Sequence, residues 1–202
     1  MKLRPLILLA LLARVVSPFG AADNSPDVVV RELYKQVVAR KPIGIPKGAD
    51  KSAVWPFLSK KLIHQIESEQ SCEVDYFRKH PKSGDEKPEF DWLELGLFSG
   101  ANERAAPAAA VVTRTEQDGN GRYRVYVRLT YKESFETYSR PPNPANTFHW
   151  NVAAIVISED GKFIVDDVFL FKDNSTKIDS RLTTSFPGCD GEHWVGEKPN
   201  RK

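Results

Sequence analysis

"GKFIVDDVFLF", Gly161 to Phe171, is apolar along nearly its whole length yet carries two adjacent aspartates, Asp166 and Asp167. The run is short, β-branched and aromatic, and turn residues precede it, so it reads as a strand. In an unbulged strand Phe163, Val165, Asp167, Phe169 and Phe171 share one side, and Ile164, Asp166, Val168 and Leu170 share the other. Both sides are apolar, which predicts a central strand covered twice. Helices are expected on one face, and a partner chain or the C-terminal tail on the other. Each aspartate then needs a partner, because an unpaired buried carboxylate is costly. Asp167 is expected to point into the interior, and Asp166 to be tied to a backbone or basic group on the opposite face. A two-residue turn at Asp160-Gly161 puts Asp167 opposite Ala154, and a three-residue turn over Glu159–Gly161 puts it opposite Ala153. Either alanine leaves room for a side chain, a water or a ligand.

The strands before this one share its period. "RYRVYVRLTYK" (Arg122 to Lys132) alternates cleanly, with Tyr123, Val125, Val127, Leu129 and Tyr131 on one side. Arg124, Tyr126, Arg128 and Lys132 lie on the other, a stripe that suits a solvated outer face, half a dimer interface, or an anion site. "AAAVVTRTE" and "TFHWNVAAIVIS" add two more strands, joined through "QDGNG", a turn whose Asp-Gly and Asn-Gly pairs can supply positive φ, and "SEDGK". The result is an antiparallel meander.

Upstream the period is helical. Ser25, Pro26 and Asp27 signal a helix start, and Val29, Val30, Leu33, Tyr34, Val37 and Val38 then fall on one face. "KPIGIPKG" (Lys41 to Gly48) is a connector, Pro56 interrupts a short helical turn, and Ser59 caps a longer helix bearing Leu62, Ile63 and Ile66. The apolar pattern fades beyond Ile66, and Pro81 closes the segment. "FDWLELGLFSG" (Phe90 to Gly100) is apolar but undecided between helix and strand. Helices followed by strands define an α+β class: N-terminal helices packed on a curved antiparallel β-meander.

This order, and the closing "GKFIVDDV", resemble the nuclear transport factor two-like (cystatin-like) superfamily. The secreted start and the "GCDGEHWVG" ending are similar to a secreted bacterial branch of it. The resemblance spans residues 26–172 and implies a cone-like sheet with a pocket between sheet and helices, often dimeric through the sheet's outer face. It implies no particular activity, because that fold hosts enzymes and binding modules alike.

The chain ends carry their own signals. Lys2 and Arg4 precede the apolar run "PLILLALLA", and "GAA" precedes Asp23, so residues 1–22 read as a secretory signal peptide. The run is too short to span a bilayer, which takes about 20 apolar residues. Residues 23–202 then form a single domain whose tail, 173–202, is pinned by a disulfide. Of 29 basic residues in the chain, Lys2, Arg4 and Arg14 lie in the leader, which leaves 26 against 27 acidic ones. No charge excess favours nucleic acid. Cys72 and Cys189 are the only cysteines, and in an exported chain such a pair predicts a disulfide. Its loop is long enough to contribute about 4–5 kcal/mol by chain entropy.

No nucleotide-binding, hydrolase or metalloprotease motif is present, and the four histidines lack metal-ligand spacing, so neither cofactor nor metal is implied. Any site must be assembled from scattered side chains. Asp167 and His149, a carboxylate and an imidazole on neighbouring strands, are the candidates for acid–base work. Trp150 and Tyr131 join them as candidates to line a ligand pocket. The reading these residues favour is an exported binding protein that uses the interior pocket or the outer sheet face. A cofactor-free isomerase- or dehydratase-like enzyme acting on a small apolar molecule, and a non-catalytic homodimeric module, stand beside it.

Overall fold

The computed structural model describes residues 24–81, 95–102, 105–133, 146–171, 177–184 and 188–196. The expected leader and the polar loop at 82–89 lie outside them. Three helices come first: α1 (Pro26–Arg40), α2 (Gly48–Val54) and α3 (Lys60–Lys79). Strands β1 (Ala109–Gln117), β2 (Tyr123–Lys132), β3 (Thr147–Glu159), β4 (Lys162–Phe171) and β5 (Ile178–Arg181) follow. A short hairpin, β6 (Cys189–Asp190) and β7 (His193–Trp194), comes last. Four long strands and the short β5 form one antiparallel sheet in the order β1-β2-β3-β4-β5. The α+β class expected from the sequence is the observed one.

Local chemistry explains the helices. In α1, Val30, Leu33, Tyr34 and Val37 are buried, as the spacing requires. Ser25 occupies the N-cap, but its side chain makes no capping bond. Ser59 does cap α3, accepting from the Leu62 N–H at 3.0 Å. This helix runs on through the stretch where the apolar pattern fades, because Glu69, Cys72 and Asp75 hold the buried positions there. "LGLFSG" is neither helix nor strand: Gly96 bridges Gly44, Leu95 bridges Asn102, and Phe98 is driven into the core.

The core lies between the helices and the sheet's inner face. Val125, Val127 and Leu129 of β2, Val152, Ala154 and Val156 of β3, and Val165 and Val168 of β4 meet Leu33, Tyr34, Leu62 and Ile66. Among the described residues the centre of this core is packed with side chains. Tyr34 and Phe98 are fully buried in it, and the Tyr34 hydroxyl donates to the Phe98 carbonyl at 2.9 Å.

The β3–β4 hairpin corrects the expected register. Its turn is the two-residue one, with Glu159 opposite Lys162 and positive φ at Asp160 and Gly161. Asp167 nevertheless faces Ile155, not Ala154 or Ala153, because the ladder slips one residue between Val165 and Asp167. Asp166 is the extra residue of a β-bulge, and every side chain after it changes face. Val168 and Leu170 join Phe163 and Val165 in the core, while Asp167, Phe169 and Phe171 turn outward. The bulge lies where the free edge of β4 changes partner. Ser59 donates its N–H to the Val165 carbonyl at 2.8 Å, and beyond the bulge β5 takes over from Phe169 onward. The polar tail thus supplies a fifth strand that the sequence reading left out.

The expected disulfide joins Cys72 to Cys189 with 6.0 Å between their Cα atoms. It pins the β6–β7 hairpin onto α3 rather than over the outer sheet face. The hairpin is further held by Trp194, whose N–H donates to Asp75 at 2.9 Å and whose ring meets Tyr76 edge-on.

Candidate functional site

Because the bulge turns Phe169 outward, it sets up the chemistry of the outer face. Phe169 is buried there with Ala153 and Ile155, flanked by Tyr126, Phe171 and Ile178. Two guanidiniums lie over its ring, Arg181 of β5 at 4.4 Å and Arg124 of β2 at 5.2 Å. Such contacts are worth about 0.5–2 kcal/mol, depending on desolvation. Phe169, Ile155, Arg124 and Arg181 line a cleft of about 340 Å³, with Lys61, Arg122 and Thr183 also on its walls.

The cleft's carboxylates are taken up by the fold. Asp167 accepts from the Thr183 N–H at 3.1 Å, the Thr183 hydroxyl at 2.8 Å and the Val168 N–H at 2.9 Å. Asp166 accepts from the Ser59 hydroxyl at 2.7 Å and pairs with Lys61 at 3.5 Å, the basic partner expected for it. Asp118 binds Arg122 at 2.8 Å, and Glu116 pairs with Arg114 at 3.1 Å and accepts from the Tyr126 hydroxyl at 3.0 Å. Arg124 differs. Among the described residues its guanidinium has the Phe169 ring beneath it and neither an ion pair nor a hydrogen bond.

The four residues proposed from sequence do not converge. Asp167 lies on the outer face, tied to Thr183, rather than in the interior. His149 is exposed on the same face, its ring nitrogen 3.0 Å from the Thr130 hydroxyl. Six residues of β3 separate it from the level of Asp167, about 20 Å along an extended strand, so the two form no dyad. Trp150 and Tyr131 lie on the inner side. Trp150 donates its indole N–H to the Ser99 carbonyl at 2.8 Å, and Tyr131 stacks on Phe148. Trp150 also lines a second opening of about 350 Å³ at the strand ends, with Leu97, Ser99, Leu170 and Leu182.

Sequence reasoning missed Phe169, Arg181 and Thr183. Phe169 was placed on the wrong face by the unseen bulge, and the other two come from a tail with almost no apolar pattern. It also missed Glu69. This carboxyl is buried beside the disulfide, one of its oxygens has no hydrogen-bond partner among the described residues, and burial pushes its pKa up from 4.5 to about 7. The three-residue spacing of Glu69 and Cys72 on one helix was the available signal. Nearby Asp75 is shifted the other way, held well below the usual carboxylate range by Lys79, the Trp194 N–H and Arg78.

Among the described residues no helix is long and apolar enough to cross a membrane. No family model matches the chain, and no curated protein or solved structure is significantly similar to it.

Proposed function

We propose that the chain is an exported binding protein that holds a small organic anion with a flat apolar body on its outer sheet face, without turnover. The observation carrying this reading is Arg124. It is a guanidinium set over an aromatic floor in a cleft of ligand size, with no carboxylate partner among the described residues. Ile155 and Phe169 suit the flat body, and the planar guanidinium suits a carboxylate, which it can bind in bidentate fashion. The aromatic floor and the guanidinium above it both lie on the outer face, which favours that face over the pocket between helices and sheet. Export is supported by the disulfide, which persists in oxidising compartments, together with the leader-like run at residues 1–22. Three helices followed by a meander also support the kinship with the nuclear transport factor two-like superfamily.

Calorimetric titration with aromatic carboxylates and their neutral amides tests the reading. The acids are expected to bind, the amides to bind much more weakly, and Arg124→Gln to weaken the acids by roughly tenfold to a hundredfold. Amides that bind as well as the acids would overturn it, as would acids that bind Arg124→Gln unchanged.

A second reading rests on Val111. This large apolar side chain is 59% accessible, opposite Arg128 on the same sheet face as the Tyr126–Phe171 stack. A second copy laid on that face would cover both. Sedimentation velocity separates the readings: a dimer broken by Val111→Lys favours the module, and a monomer at all concentrations removes it.

A further inference from the structure

Glu69 serves no fold role that its hydrogen bonds explain. It is 8% exposed, and its Oε2 has no partner among the described residues. Buried polar atoms of this kind are uncommon and call for a reason. Its surroundings supply one. A Glu69 carboxyl oxygen and the sulfurs of Cys72 and Cys189 all lie within 4.8 Å of one another.

The disulfide is also asymmetric. Cys72 is fully buried on α3, whereas Cys189 is half-buried on the short hairpin. An external thiolate therefore meets Cys189 first, and Cys72 becomes the leaving sulfur, deep beside the carboxyl. A thiolate expelled into an apolar site is a poor leaving group unless it is protonated there.

We propose that Cys72–Cys189 is a thiol-exchange site, at which a dithiol reductant attacks Cys189 while the Glu69 carboxyl protonates the departing Cys72 sulfur, opening the C-terminal hairpin. The electrons balance. The reductant's first thiolate forms a bond to the Cys189 sulfur, and the S–S pair leaves on Cys72. The Glu69 proton converts that sulfur to a thiol. The reductant's second thiolate then attacks its own sulfur in the mixed disulfide and expels Cys189, which takes a proton from solvent. The dithiol ends as a disulfide, the protein gains two thiols, and Glu69 is reprotonated from water. Once the bond is cut, the covalent tie is gone and the hairpin is held by non-covalent contacts, among them the Asp75–Trp194 and Lys79–Trp194 hydrogen bonds and the Trp194–Tyr76 ring contact.

On α3 the half-buried Glu73 sits one turn on from Glu69 and is its neighbouring titratable group. The nearest buried one on this helix is Asp75, kept ionised by Lys79 and Arg78. On the hairpin Asp190, Glu192 and His193 are all exposed. With burial raising the Glu69 pKa to about 7, the proton donor is present below neutrality and lost above it.

The test is the rate of reduction by dithiothreitol from pH 5.5 to 8.5, followed by thiol release and divided by the dithiothreitol thiolate concentration. The normalised wild-type rate is expected to fall about tenfold as pH rises through 7, and Glu69→Gln to be flat and roughly tenfold slower at pH 6. A merely structural Glu69 would act in the opposite sense, since its ionisation would loosen the hairpin and speed reduction at high pH. A wild-type rate that is flat or rises with pH overturns the proposal without recourse to any variant. So does a Glu69→Gln profile that matches the wild type.

Discussion

Asp167 shows how a carboxylate that looks like chemistry in a sequence becomes architecture in a fold. Its oxygens take two donors from Thr183 and one from Val168, and so tie the bulged part of β4 to the short helical turn after β5. Removing it leaves N–H groups without acceptors in a partly dry site, at a cost of about 1–3 kcal/mol. Asp167→Ala should lower the urea midpoint by a corresponding amount, and Thr183→Val should lower it less, because the Thr183 N–H keeps its acceptor. If Asp167→Ala matches the wild type in urea, the carboxylate is not a structural tie. Arg124 is the reverse case. It was legible as one position on a basic stripe, but its significance depends on Phe169, which only the bulge brings beneath it.

At the scale of elements, legibility followed periodicity. The buried faces of α1 and β2 were readable because their apolar residues recur every three to four and every two positions respectively. Where polar residues hold buried positions the signal failed, as at Glu69 and Asp75 in the second half of α3. The bulge was invisible for a related reason. A strand apolar on both sides gives the same pattern before and after a slip, so "VDDV" could not reveal the change of face. β5 was missed because Ile178 is its one apolar residue. Ser59 couples two of these elements, capping α3 and donating to Asp166 at the bulge. Ser59→Ala should therefore cost about 1–2 kcal/mol, the upper part of the range for a lost cap. Ser59→Asp, which keeps the cap but sets a second carboxylate beside Asp166, should recover little of it. In the tail hairpin, Gly188 has φ +89, and an added Cβ would fall 2.3 Å from the Trp194 ring. Gly188→Ala should displace that ring, shift tryptophan emission to the red, and leave the sheet's circular dichroism unchanged. An unshifted spectrum would mean that the hairpin does not clamp Trp194.

At the scale of the whole molecule, Glu69 and Asp75 give stability opposite slopes with pH. Burial raises the folded pKa of Glu69 above its ordinary 4.5, so the folded state binds this proton more tightly than the unfolded chain does. The advantage is intact below about 4.5 and is lost as pH rises through about 7. That span corresponds to a loss on the order of 3 kcal/mol. Asp75 works in the other direction. Its ion pairs and the Trp194 N–H depress its folded pKa, so its contribution is present above its ordinary 3.8 and fades as acid protonates it. Stability should therefore peak between the two windows, at mildly acidic pH, and decline toward pH 8 with the disulfide intact. Urea unfolding at pH 5, 6.5 and 8 measures the decline, and Glu69→Gln should remove most of it while leaving the acid limb in place. If the variant keeps the wild-type slope from pH 5 to 8, the decline originates elsewhere, and the carboxyl beside the disulfide does not titrate near neutrality.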